Sequence, residues 1–165
     1  MGTLGIIAIK ENDKNCKYIY NCTDSYIDVL GVMLYKYYQK KEKVRQLIDL
    51  GDTSSVGCTI EEGGNETYMD HMNQPSDKRG TVAHFRDCNR WKMFPNYTWE
   101  ESKPKLATLS ELLEHRTEGY EYIYIFNTEN NKWYVTSEES DWGIEELERV
   151  IIYKYGANSR DVMSL

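Results

Sequence analysis

Over residues 78–92 the chain sets Lys78, Arg79, Arg86, Arg90 and Lys92 against one acid, Asp87, and interleaves them with His84, Phe85 and Trp91. Guanidinium forks beside aromatic faces are the side chains suited to hold phosphates while stacking a base. The plainer expectation is that these bases pair with surrounding acids, and the segment alone leaves both open. Overall, 20 basic against 27 acidic residues give a net charge of -7. That excludes a general binder of phosphate backbones but permits a small anion in a local basic pocket.

Other constellations are weaker. His71, His84 and His115 match no metal spacing, and none accompanies a GxSxG signature. Cys16, Cys22, Cys58 and Cys88 form no CxxC pair, so they are expected to be plain thiols in a reducing cytosol. The run Gly51-Asp52-Thr53-Ser54-Ser55-Val56-Gly57 has hydroxyls and amides that could cradle phosphate. It lacks the lysine and the strand–loop–helix order of a P-loop, and is expected to be a helix-terminating turn. Six carboxylates, Glu138, Glu139, Asp141, Glu145, Glu146 and Glu148, fall in eleven residues. They suit the start of a helix, or an acidic face that imitates nucleic acid toward a partner protein. No catalytic residue, metal ligand or cofactor is expected.

These residues need elements to hold them. Two β-prone runs, 3–9 and 17–22, flank an Asn/Asp turn and read as a hairpin, the first strand apolar on both faces. Asp24 is placed to cap a helix reaching about Gln39, with Ile27, Leu30, Leu34 and Tyr37 on one stripe. A second helix carries Val44, Leu47 and Ile48 inward, shows Lys40, Lys41, Lys43 and Arg45 to solvent, and ends at Gly51. Residues 51–80 read as a long irregular connection, with one short strand near 58–60. A strand is expected over 81–87. Thr108 and Glu111 form a capping box for a short helix bearing Leu109, Leu112 and Leu113. A hairpin spans 120–127 and 132–136, and a last helix covers 141–153.

Paired strands with helices between them favour an α+β fold: an antiparallel sheet built from hairpins, with helices packed on one face. The expected organisation is one domain over 1–155, with 156–165 a loose tail. At 165 residues and 40% hydrophobic content a single core is accessible, and no run reaches the roughly 18 apolar residues of a membrane span. No signal-peptide pattern opens the chain, so a soluble cytoplasmic protein is expected.

From 18 to 57 the chain resembles a family of small, mostly uncharacterised bacteriophage and prophage proteins. The resemblance rests on Ile19-Tyr20, Asp24-Ser25-Tyr26, Gly31, Leu34, Tyr38, Lys43-Val44, Leu47-Ile48 and Leu50-Gly51-Asp52 with Ser54-Ser55-Val56-Gly57. Where that family has His-Trp-Asp-Gly-Tyr, this chain has Cys22-Thr23-Asp24-Ser25-Tyr26, keeping Asp24 and Tyr26. Arg86-Asp87 matches a pair in a central strand of the family, and the final hairpin is similar. The resemblance implies a phage accessory protein acting in the host cytoplasm, in company with proteins that counter bacterial defence. The expected function is non-enzymatic capture of a nucleotide-derived immune signal, of cyclic nucleotide or cyclic ADP-ribose type, by a homo-oligomer. Arg86, Arg90 and Lys92 meet phosphates, Trp91 or Tyr26 stacks a ring, and Asp24 accepts a hydrogen bond, with Asp87 beside them. The alternatives are an acidic inhibitor of a host effector such as a CRISPR nuclease, and a hydrolase with Asp24, Asp87 and His84 around a metal.

Overall fold

A computed structural model describes residues 3–60, 78–85 and 98–155 of the chain. Strand β1 (Gly5–Asn12) turns through Asp13 and Lys14 into β2 (Asn15–Asn21), with Ile7 opposite Ile19. On its other side β1 pairs in parallel with β6 (Tyr122–Asn127), which forms the second hairpin with β7 (Lys132–Ser137). Short strands β3 (Thr53–Ser55), β4 (Val82–Ala83), β5 (Lys105–Ala107) and β8 (Glu145–Glu146) complete the sheet. The order is β4-β3-β2-β1-β6-β7-β8, with β5 also on β2. The fold is α+β and mostly antiparallel. Two contacts, β1 with β6 and β2 with β3, are parallel.

Alternation along β1 buries it on both faces. Ile7 and Ile9 join Ile19, Tyr124, Phe126 and Val135 beneath α1 (Val32–Tyr37), α2 (Lys41–Asp49) and α5 (Leu147–Tyr155). Ile6 and Ala8 face the other way, with Tyr18, Ile123 and Ile125 beneath Leu112 of α4 (Leu109–Glu114). Three helices therefore share one face as expected, and α4 covers the other. A short α3 (Trp99–Ser102) precedes β5. Among the described residues no helix is long and apolar enough to cross a membrane.

Local signals are realised closely where they are self-contained. Val44, Leu47 and Ile48 are buried, Gly51 takes φ +78 past the end of α2, and the Thr108–Glu111 box closes with bonds of 3.0 and 3.1 Å. Asp24 does not cap a helix: it adopts a left-handed turn (φ 49), and a widened π turn at Ile27–Gly31 leads into α1. Tyr38 rather than Tyr37 then completes the buried stripe, because the chain leaves α1 there. Its ring is fully buried, its hydroxyl donates to Gly57 O, and its carbonyl accepts from Trp133 Nε1 at 2.7 Å.

Residues 51–60 are not slack. Thr53–Ser55 is a buried polar strand, and 58–60 supplies only a bridge from Thr59 to Gly80. The strand expected over 81–87 ends at Ala83. The last helix starts at Leu147 and not at 141, because Asp141 and Trp142 are left-handed (φ 54 and 60) after a 3-10 turn at Glu138–Ser140. Residues 61–77 of the expected connection and the expected tail at 156–165 lie outside the described residues.

Candidate functional site

The outer edge of β2 is shared. Tyr18 pairs with Lys105 on β5, and Asn21 with Thr53 on β3, leaving a notch opposite Tyr20. Asp52 fills it. Its carboxylate accepts the Tyr20 N–H at 2.9 Å and lies 3.5 Å from Lys105 Nζ, while its own N–H donates to Ser102 O at 2.8 Å. Its carbonyl accepts from the His84 N–H at 2.9 Å, joining β4 to the same structure. Gly51 makes this placement possible, since a Cβ there would come 2.5 Å from Ser102 O.

Two-residue alternation puts Tyr18 and Tyr20 on the α4 face of the sheet. Tyr120, entering β6, stacks on Tyr20 at 4.9 Å with planes 20° apart. His115, just past α4, stands nearly perpendicular to Tyr20 and Tyr120, and Lys105 Nζ sits 4.7 Å from the centre of the Tyr20 ring. Glu118 holds His115 Nδ1 at 2.8 Å. Burial pushes the Tyr20 phenol far above its ordinary value, aided by a hydrogen bond with Tyr18. Burial also raises Tyr120, and the nearby Asp52 charge adds to this against an opposing bond with Tyr20. These hydroxyls stay protonated at any physiological pH.

Parallel register sets Cys22 beside Ser54 as it sets Tyr20 beside Asp52. Ser54 Oγ meets His84 Nδ1 at 2.9 Å. A serine touching a histidine is the first half of a nucleophilic site, but at 5% exposure Ser54 offers little approach to a substrate. The face therefore presents a rigid aromatic shelf, with a lysine, a histidine and neutral phenols around it, suited to hold a planar ring.

Asp24 stands at its margin: the preceding Thr23 donates its hydroxyl to Ser54 O. Tyr26 does not join it. That ring is 42% exposed and meets Tyr122 edge-on at 6.0 Å, in the layer beneath α1. Arg86, Asp87, Arg90, Trp91 and Lys92 lie outside the described residues; the described segment 78–85 ends at Phe85, one residue past His84. Among the described residues no three His, Cys, Asp or Glu side chains gather to hold a metal. The acidic run is divided among a 3-10 turn, a left-handed turn, β8 and α5. Glu146 meets Lys132 and Arg149, and Glu148 accepts from Tyr35. It forms no single helical face.

Sequence reasoning missed Asp52, Lys105, His115 and Tyr120. The only local signal was the Tyr18-x-Tyr20 alternation, since the others come from four separate segments. No family model, curated protein or solved structure matches the chain.

Proposed function

We propose that the protein is a non-enzymatic binder that captures a nucleotide-derived ligand on the Tyr20–Tyr120 face. The observation that carries this is the stacked tyrosine pair, flanked by Lys105 and His115, in one patch with His84. The ligand's ring lies on Tyr120, and the phosphates go to Arg86, Arg90 and Lys92, which follow His84 in the chain. The closed Ser54–His84 contact and the raised phenols favour holding over turnover. The resemblance to phage and prophage proteins makes an immune nucleotide of a bacterial host the fitting ligand, and two copies closing on one molecule the fitting assembly.

Calorimetry against cyclic nucleotides and cyclic ADP-ribose isomers, followed by heat release and mass analysis of the ligand, tests this. Capture with intact release is expected. Tyr120→Ala, and separately Arg86→Ala with Arg90→Ala, should each weaken it by roughly tenfold or more, in line with about 1–3 kcal/mol per stacked base. A chemically altered ligand, or affinity unchanged in both variants, refutes the assignment.

A further inference from the structure

The outer edge of β5 is unpaired among the described residues, since that strand meets only β2. Its register shows which groups it offers. Tyr20 turns its N–H outward to Asp52, so by alternation Tyr18 and Cys16 also face outward and bond Lys105 and Ala107. The N–H and C=O of Leu106 therefore point away from β2. The edge closes on either side: Pro104 has no N–H, and Glu111 takes the Thr108 N–H at 3.0 Å. Leu106 is thus the one residue of β5 with both backbone groups free, and its side chain is 80% exposed. A large apolar side chain on an open edge is what folded chains avoid unless something covers it.

That side chain forms one wall of a groove of about 230 Å³, with Ile9 and Ile48 in its lining. Two ion pairs between sheet and helix rim it, Lys17–Asp49 at 3.1 Å and Arg45–Glu11 at 2.9 Å. Two molecules of net charge -7 repel each other, but this rim carries two charges of each sign and lets a like surface approach. We propose that the edge is a self-association surface, covered by β5 of a second copy of the chain. In an antiparallel pair centred on Leu106, the two leucines exchange both N–H···O=C bonds about a two-fold axis. Directly opposed residues share a face, so the two leucine side chains meet and join the two grooves into one apolar seam. On the α4 side Lys105 falls opposite the partner's Ala107, a small residue that leaves it room. The Tyr20–Tyr120 shelves of both copies then lie on one face of a continuous sheet, either side of the axis. With one pair of backbone bonds at its centre, the contact is small and reversible. It does not depend on what the shelf binds.

Sedimentation velocity of the full chain without ligand, from micromolar to near-millimolar concentration, reads the association directly. A reversible monomer–dimer equilibrium is expected. Leu106→Lys, which sets a charge on the open edge, should weaken it roughly tenfold or more and melt as the parent does. Tyr120→Ala should dimerise as the parent does, so that loss of nucleotide capture and loss of this surface are separable. Opposed Cα atoms in such a pair lie about 5.5 Å apart, within the disulfide range of about 4.4–6.8 Å. Leu106→Cys should therefore cross-link into dimers under mild oxidation, and Glu129→Cys, on an exposed turn, should not. If Leu106→Lys melts early, the cross-link decides. A parent that stays monomeric throughout overturns the second copy as occupant. A folded Leu106→Lys that dimerises as tightly as the parent, or cross-linking of Leu106→Cys no greater than that of Glu129→Cys, overturns the edge. A series of ever larger assemblies overturns the two-fold pairing.

Discussion

Asp52 is the side chain on which the candidate face most depends, and its removal has a calculable cost. In Asp52→Ala the Tyr20 N–H loses its 2.9 Å acceptor, and Lys105 loses a carboxylate at 3.5 Å. A polar group stripped of its partner in the interior costs about 1–3 kcal/mol. The ion pair adds less, about 1 kcal/mol at most, because the Lys105 side chain is 29% exposed and solvent screens it. The expected loss is about 2–3 kcal/mol, which for a chain of this length lowers Tm by roughly 5–10 °C. Asp52→Asn keeps an oxygen for the Tyr20 N–H and loses only the charge, so it should cost about 1 kcal/mol. Urea unfolding of the full chain, followed by tryptophan fluorescence with m-values compared, separates the two. If alanine and asparagine prove equivalent, or alanine lies within about 0.5 kcal/mol of the parent, Asp52 does not close the edge of β2.

Two further outcomes follow from the same packing. Gly51→Ala places a Cβ at φ +78 and 2.5 Å from a backbone oxygen that cannot rotate away, so a loss of about 3 kcal/mol or more is expected by calorimetric melting. A change below about 1 kcal/mol refutes the fit of α3 against Gly51. The phenols of Tyr20, Tyr35, Tyr38 and Tyr120 are raised chiefly by burial, Tyr35 to about 12 with help from Glu148. The unfolded chain ionises these groups near pH 10. Their contribution is therefore complete below that pH and declines as pH rises above it, that of Tyr35 being lost by about 12. Phenolate absorbance during alkaline unfolding should show tyrosines that ionise only as the fold is lost, and Tyr35→Phe should lessen the decline.

Short-range pattern determined a good deal of this protein by itself. The Tyr122–Phe126 alternation with its Asn-rich turn specified the β6–β7 hairpin, and Val44, Leu47 and Ile48 specified the buried side of α2. The Thr108–Glu111 box marked the start of α4, and alternation in β1 showed a strand covered on both faces. Each is satisfied within a few residues, so propensity and periodicity suffice to encode it.

Tertiary structure decided the rest. A hairpin has the same periodicity whichever way it lies beside another, so the parallel pairing of β1 with β6 left no trace in the pattern. Thr53–Ser55 looked like loop because hydroxyl-rich residues rarely line a buried strand. Asn21 and His84, both distant in the chain, satisfy the Thr53 and Ser54 hydroxyls and make that strand tolerable. The start of the last helix was misplaced because carboxylates suit a helix start and a turn equally, and the left-handed pair at Asp141 and Trp142 chose the turn. Arg79 sits, by sequence, in the basic segment 78–92; folding sets its carbonyl against the Cys58 and Thr59 N–H groups, next to the Cys58 carbonyl that accepts from Lys43. A site assembled from distant segments has no period of its own, and only the packing that brings those segments together determines it.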